Sequence, residues 1–214
     1  MKKTSKALLL MLCAVLLVAA SVLGTMAYLT SSDEVVNTFT VGNVQIKLDE
    51  AKANPDGSLV PNADRVKANS YKLLPGHEYN KDPMVTVQKG SESAYIKMTV
   101  TFTKAAELDA IFAPTGANMT SIFNGYDSSN WIAKGNTENT TANTRTYEFW
   151  YKEPVAAPDT DVALDALFDS ITVPGTITNE QLDTIKGMTI TVNAYAIQAD
   201  GFANAEAAWA AYAG

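Results

Sequence analysis

The stretch YIKMTVTFT (Tyr95–Thr103) shows the clearest alternation of apolar and polar residues in this chain. One side carries Ile96, Met98, Val100 and Phe102, and the other carries Lys97, Thr99 and Thr101. Successive side chains of a β-strand point to opposite faces, so a period of two predicts a strand that is half buried. This stretch therefore predicts a sheet with one face on a hydrophobic core.

Other stretches with strand character surround it. They are Val44–Leu48, Met84–Gln88, Arg145–Tyr151 and Met188–Gln198. Two turns punctuate the chain, at Asn54-Pro55-Asp56-Gly57 and at Pro75-Gly76, because proline presets φ and glycine accepts a positive φ. Short strands joined by long loops are typical of an antiparallel β-sandwich.

A few helices are predicted in the connections. Lys104–Phe112 and Asp161–Asp169 have short helical patterns, and Ala203–Tyr212 is rich in alanine. A third connection begins with Thr178-Asn179-Glu180-Gln181, a capping box whose side chains satisfy the first free N–H groups of a helix. With no internal repeat or linker, the sequence predicts one mainly β domain.

The N-terminus has the layout of a secretory signal peptide. Lys2, Lys3 and Lys6 precede an apolar run from Ala7 to Leu23, and the small residues Thr25 and Ala27 follow. We expect cleavage between Ala27 and Tyr28, which leaves residues 28–214 as the mature domain. An uncleaved anchor is the alternative, because a run of this length lies at the lower limit for spanning a bilayer. The signal predicts a secreted protein of the extracellular matrix or cell surface.

Removal of the signal also removes Cys13, the only cysteine, so no disulfide framework is available to the mature chain. The three lysines leave with it, and 13 basic residues against 23 acidic ones give a net charge of −10. Nucleic acids and anionic lipids need clustered lysine and arginine. We therefore expect neither nucleic acid nor, after cleavage, a membrane as partner.

The sequence lacks the usual catalytic sets. His77 is the single histidine, and Lys81 occupies the position where a zinc-peptidase helix needs its second one. No Gly-x-Ser-x-Gly elbow is present. We expect no catalytic residue, no metal ligand and no cofactor.

Two weaker binding possibilities stay open. Loop carboxylates such as Asp159 and Asp161 suit weak calcium binding by type, although their spacing matches no calcium loop. Trp131, Trp150 and Trp209 are either a sugar-binding platform or packing residues, and packing is favoured because large aromatic residues dominate cores.

Several segments together resemble one family. Ala27-Tyr28-Leu29-Thr30-Ser31-Ser32-Asp33 follows the signal, and Asn37-Thr38-Phe39-Thr40-Val41-Gly42-Asn43-Val44 leads into the first strand. Further segments are Leu74–Pro83, Ser93–Met98 and Ala194–Phe202. Over nearly the whole chain the sequence resembles the TasA and camelysin (CalY) family of secreted bacterial matrix proteins, and its signal resembles those cut by SipW-type signal peptidases.

The resemblance implies a jelly-roll-like β-sandwich that assembles into extracellular biofilm fibres, with itself, the signal peptidase and an accessory assembly protein as candidate partners. It also implies that the mature N-terminal segment, residues 28–40, donates a strand to the next subunit. The segment's own residues suit this role, because it starts at a free terminus and is rich in apolar side chains. The candidate assembly residues are Tyr28, Leu29, Val35, Val36, Phe39 and Val41. Pairing within its own subunit is the alternative.

Two other functions are alternatives. Some family members are described as metallopeptidases, an activity for which His77 and Glu78 are the only candidates in this chain. A surface adhesin or carbohydrate-binding module would use Trp131, Trp150 or Tyr126. The sequence favours a structural fibre subunit over both.

Overall fold

The computed structural model describes residues 11–17, 43–112 and 122–212. The chain divides into two units, Met1–Val41 and Gly42–Gly214. In the first unit residues 11–17 are helical. The predicted cleavage site (Thr25, Ala27, Tyr28) and the predicted donor residues Tyr28, Leu29, Val35, Val36, Phe39 and Val41 lie outside the described residues.

The second unit is mainly β, as the sequence predicts. Its strands are β1 (Ile46–Asp49), β2 (Glu78–Asn80), β3 (Met84–Val87), β4 (Ser91–Thr103), β5 (Phe123–Asn124), β6 (Trp131–Asn139), β7 (Thr144–Tyr151), β8 (Val155–Ala157), β9 (Val162–Ala163), β10 (Ser170–Thr172) and β11 (Ile190–Gln198). The helices described in this unit are α1 (Ala105–Phe112), α2 (Asn179–Thr184) and α3 (Ala205–Tyr212).

All the strand pairs are antiparallel. The largest sheet, called here the main sheet, has the order β11-β4-β7-β6, and β8 pairs with the start of β4. Two smaller sheets have the orders β1-β3-β9 and β2-β10-β5. β11 and β6 are therefore the two edge strands of the main sheet.

The core lies on the face of β4 that its sequence predicts. Ile96, Met98 and Val100 have 0% of their surface exposed, and Phe102 has 1%. The small sheets close over this face, since Phe123 of β5 stands 5.6 Å, centroid to centroid, from Phe102. The packing of sheet on sheet across an apolar layer is that of a β-sandwich.

The opposite face of the main sheet is covered by α3. Trp209 of this helix lies 6.2 Å from Trp150 of β7. The Lys97 ammonium group of β4 lies 4.5 Å from the centroid of the Trp209 ring. All three tryptophans are buried, at 1% for Trp131, 9% for Trp150 and 4% for Trp209, as their interpretation as packing residues predicts.

Several local predictions are confirmed. The helix after Thr178 forms, and its capping box is complete, with Thr178 Oγ1 accepting from Gln181 N at 3.2 Å and Gln181 Oε1 accepting from Thr178 N at 2.9 Å. Gly57 ends its turn at a φ of 91°. A Cβ atom there would stand 2.4 Å from the Glu78 carbonyl oxygen, so this turn requires glycine.

The predicted helix over Asp161–Asp169 is wrong. The segment contains the short strand β9 and then an irregular stretch that leads to β10. Its backbone N–H groups bind outside the segment, because Leu164 N donates to Val85 O at 2.9 Å and Leu167 N donates to Pro83 O at 3.1 Å. The apolar residues of this segment, whose spacing resembles that of a helix, instead pack against the core.

Candidate functional site

The outer edge of β11 is a long, regular strand edge. β11 pairs with β4 over nine consecutive residue pairs without a register shift. Within residues 43–112 and 122–212 no strand pairs with its other side. The strand, ITVNAYAIQ, contains no charged residue, no proline and no glycine. It therefore lacks the devices that usually block pairing at a sheet edge.

The residues that face the open side follow from two hydrogen bonds. Thr189 O accepts from Thr103 N at 3.1 Å, and Ala199 N donates to Ser93 O at 2.8 Å, so the odd-numbered residues of β11 face β4. Antiparallel strands alternate which side their N–H and C=O groups address. The residues whose backbone groups address the open side are Ile190, Val192, Ala194, Ala196 and Gln198.

The same residues carry the core-facing side chains of β11. Ile190 and Val192 stand opposite Phe102 and Val100 of β4, which are buried. In contrast, Ile190, Val192, Ala194 and Ala196 are only partly buried. The apolar layer is thus incompletely covered where the main sheet ends at β11.

A groove lies beside the N-terminal end of this edge, where residues 190–192 of β11 line it. A cavity of about 830 Å³ lies at the Ile190 end, and a second cavity of about 370 Å³ lies between β11 and β1. Ile190, Asn69 and Lys81 line both cavities, which together are called the β11 groove. An open strand edge beside a groove is the geometry that accepts an added strand.

The middle of the groove is polar. Lys81 Nζ donates to Glu50 Oε2 at 2.5 Å, and both side chains are more than 90% buried. The amide of Asn69 donates to Glu50 Oε1 at 3.1 Å and to the Ala51 carbonyl oxygen at 2.8 Å. Lys81 and Glu50 each have the other as a charged partner, and Glu50 has a further hydrogen bond from Asn69. Neither charge is therefore buried without a partner in the groove.

A second ionic network fixes the rim near β1. Arg65 donates to Asp49 Oδ1 at 2.6 Å and to Asp82 Oδ2 at 2.8 Å, and Lys47 lies 2.7 Å from Asp49 Oδ2. Burial by itself raises the pKa of the Asp49 carboxyl, but the hydrogen bonds and charges of Lys47 and Arg65 outweigh it and lower the pKa overall. Asp49 is therefore ionised at neutral pH.

The residues considered for metal chemistry are not assembled. His77 is exposed in the turn before β2, and the Glu78 carboxylate accepts a hydrogen bond from Ser170 Oγ. No group of three or more His, Cys, Asp or Glu side chains in the described parts of the chain is arranged to hold a metal ion. The Asp161 carboxylate, one of the loop carboxylates that suit calcium by type, accepts a hydrogen bond from Lys89 N at 2.8 Å.

The aromatic residues considered for sugar binding are turned inward. Trp131 Nε1 donates to the Asp165 carbonyl oxygen at 3.1 Å, and Trp150 Nε1 donates to Glu148 Oε1 at 2.6 Å. The Tyr126 hydroxyl donates to the Trp131 carbonyl oxygen at 2.8 Å. These rings offer no exposed platform.

Comparison with family models, with curated proteins and with solved structures returned no match. Among the described residues, no helix combines the length and the apolar character needed to cross a membrane.

Proposed function

We propose that this protein is a structural subunit of an extracellular biofilm-matrix or cell-surface fibre. Residues 28–40 of one subunit add as a strand to the β11 edge of the next. Each subunit then carries one donor segment and one acceptor groove. A contact of this head-to-tail kind does not close on itself, so it propagates into a filament.

The observation that carries the proposal is the state of β11. Its outward-facing backbone groups form an uninterrupted row, and its core-facing side chains are half covered. An added strand satisfies the backbone groups through main-chain hydrogen bonds and covers the apolar side chains. One inserted strand makes both the hydrogen bonds and the apolar contacts, because the same β11 residues present the outward backbone groups and the half-covered side chains.

The proposed donor has the composition that this surface requires. Residues 28–41 read YLTSSDEVVNTFTV, with no proline, no glycine and no lysine or arginine. At roughly 3.3 Å per residue the segment reaches about 45 Å when extended, which exceeds the roughly 30 Å of β11. The resemblance to secreted matrix proteins supports the same assignment independently of these dimensions.

The test is negative-stain electron microscopy of the mature protein, residues 28–214, at rising concentration with and without filament seeds. We expect filaments from the intact mature chain and folded monomers from a variant that lacks residues 28–38. Normal filaments from the truncated variant would refute strand donation, and persistent monomers of the intact chain under every condition would refute the fibre role.

A matched variant separates loss of the donor strand from loss of length. Val35→Ser, Phe39→Ser and Val41→Ser in one chain keep the length of the segment but remove three apolar side chains from one face of the strand. We expect this variant to match the truncated one in microscopy and to keep the thermal unfolding midpoint of the truncated monomer. Filaments from this variant would show that backbone pairing alone sustains assembly.

A further inference from the structure

The chain enters the second unit at one end of β11. Glu92 N donates to the Asn43 carbonyl oxygen at 2.9 Å, and Ala199 N donates to the Ser93 carbonyl oxygen at 2.8 Å. Since Glu92 and Ser93 are adjacent, Asn43 lies beside the C-terminal end of β11. The described part of this unit therefore begins near the Gln198 end of β11, which is where residues 28–41 connect to it.

The larger cavity lies at the opposite end. It is lined at its apolar side by Leu73, Phe112, Val173, Ile185 and Ile190, of which Val173 and Ile185 are 3% and 1% exposed. Its volume of about 830 Å³ is ample for an aromatic side chain. Its lining also includes Lys72, Lys81 and Lys186, and the cavity is called the Ile190 pocket below.

These two positions decide the direction of a donated strand. In a head-to-tail filament the donor leaves the Gln198 end of its own subunit and reaches the Ile190 end of the next. Its residue 41 then lies at the Ile190 pocket and residue 28 toward Gln198, so it runs antiparallel to β11. A segment folded back into its own groove would run parallel to β11 instead. Antiparallel pairing is the slightly more stable of the two.

We propose that Phe39 of the neighbouring subunit fills the Ile190 pocket, with its strand antiparallel to β11. This inference rests on the proposed function and specifies how the groove is occupied. Val35, Asn37 and Phe39 share one face of the donor strand because side chains alternate. Of these residues, Phe39 is the aromatic one, and large rings seated in pockets are the usual anchors of an interface.

The polarity of the groove fits the same register. With Phe39 in the pocket, Asn37 lies one step along the donor face, beside the polar section formed by Glu50, Asn69 and Lys81. Val35 then reaches the half-covered apolar side chains farther along β11. In the parallel arrangement, the eight residues that separate Val35 from Asn43 would instead bring Val35 to Ile190, so that a valine and not the aromatic Phe39 would lie beside the pocket.

Cysteine pairs on the face of β11 that points away from the core distinguish the two directions. The mature chain has no cysteine, so each disulfide reports one proximity. The first variant carries Thr40→Cys and Thr189→Cys, which lie opposite each other when the donor runs antiparallel with Phe39 at Ile190. The second carries Glu34→Cys and Thr189→Cys, which lie opposite each other when the strand runs parallel with Val35 at Ile190. In the antiparallel register Glu34 lies opposite Tyr195, roughly 20 Å along the strand from position 189, whereas a disulfide needs Cβ atoms about 4 Å apart.

We expect oxidised filaments of the first variant to give a ladder of covalent oligomers on a non-reducing gel, and the second variant to stay uncrosslinked. A ladder from the second variant, or an intramolecular disulfide in it, would overturn the proposed direction while leaving fibre formation intact. Filaments of both variants without any crosslink would also overturn it. Absence of filaments from the intact chain is a separate result, because it refutes the fibre role itself.

Single substitutions test the anchor. We expect Phe39→Ala to raise the monomer concentration in equilibrium with filaments at least tenfold, Phe39→Leu to raise it less, and Val35→Ala to raise it under threefold. An effect of Val35→Ala larger than that of Phe39→Ala would indicate that Val35 occupies the pocket, and the proposal would be wrong.

Discussion

The two edges of the main sheet are built differently, although β11 and β6 are both nine residues long. β11 pairs without a register shift and carries no charge. β6 has a bulge between Ala133 and Gly135, where Gly135 adopts a φ of 113°, and it carries Lys134 and Glu138. Bulges and charges are devices that keep sheet edges from pairing. Of these two edges, β6 carries both devices and β11 carries neither.

The surroundings of the two strands differ as well. Every residue of β6 after Trp131 is exposed, on both faces of the strand. β11 has α3 on one face, through Tyr195 and Tyr212 at 6.0 Å, and the β11 groove on the other. A strand added at β6 would bury little apolar surface, whereas one added at β11 would cover a half-open core.

The difference between the two edges is tested most strongly by blocking each edge in turn. Ala194→Pro on β11 removes an outward N–H group and places a ring where the added strand would pair. We expect this change to raise the monomer concentration in equilibrium with filaments at least tenfold, as measured by sedimentation. The fold should persist because Ala194 N faces away from β4.

The control lies on the other edge. Asn136 stands opposite Tyr147, whose backbone groups address β4, so the Asn136 N–H group also points outward. We expect Asn136→Pro to leave assembly within twofold of the unmodified protein. Equal losses at both edges would mean that the difference between them has no role in assembly.

The next largest effect concerns the ion pair in the β11 groove. Glu50→Ala leaves Lys81 charged and buried without its partner, and breaking such a pair typically costs about 3–5 kcal/mol. We expect the free energy of unfolding in urea to fall by about 3 kcal/mol. Glu50→Leu combined with Lys81→Met should recover most of it, because two apolar groups leave no orphaned charge. A double variant as unstable as the single one would contradict this account.

A smaller effect separates two buried tryptophans. Trp131 at the start of β6 donates its indole N–H to Asp165 O, whereas the buried Trp209 Nε1 of α3 has no hydrogen-bond partner among the described residues. An unsatisfied buried donor costs about 1–3 kcal/mol. We therefore expect Trp209→Phe to destabilise the protein less than Trp131→Phe does, by about 1 kcal/mol or more in thermal or urea unfolding. The reverse order would indicate that the Trp209 N–H group is satisfied.

The smallest effect is a pH dependence at the groove rim. The pKa of Asp49 is lowered in the folded state, so the unfolded chain binds its proton at a higher pH than the folded chain. The stabilisation is therefore present above the unfolded pKa and is lost as the pH falls through the lower folded pKa. We expect Asp49→Asn to flatten the decline in stability below about pH 4. An unchanged slope would show that other carboxyl groups dominate acid unfolding.

The sequence predicts those strands whose own alternation of apolar and polar residues places one face on the core. β4 is the clearest case, since every second residue from Ala94 to Phe102 is buried. β6 is not predictable in this way, because WIAKGNTEN has neither alternation nor a buried face and its strand form depends on pairing with β7. Pattern alone cannot reveal a strand that buries only its first residue, Trp131.

The candidate site is predictable only in part. The alternation in β11 reveals its apolar face, and the composition of residues 28–40 suggests a strand that needs a partner. The groove itself depends on distant segments, as Val66 bridges to Glu50 and Asn69 Oδ1 accepts from Ala53 N at 2.8 Å. No local sequence pattern predicts that these loop residues form the wall of the groove opposite β11.

The uncharged character of β11 has a consequence for proteolysis. Proteases bind substrates as extended strands, and an open sheet edge already presents backbone in that form. Enzymes of trypsin type also need lysine or arginine in their specificity pocket. The sequence contains neither residue between Lys186 and Gly214, nor between Lys6 and Lys47. Trypsin-like enzymes therefore find no residue to cleave after in β11 or in the proposed donor segment, whereas β6 contains Lys134.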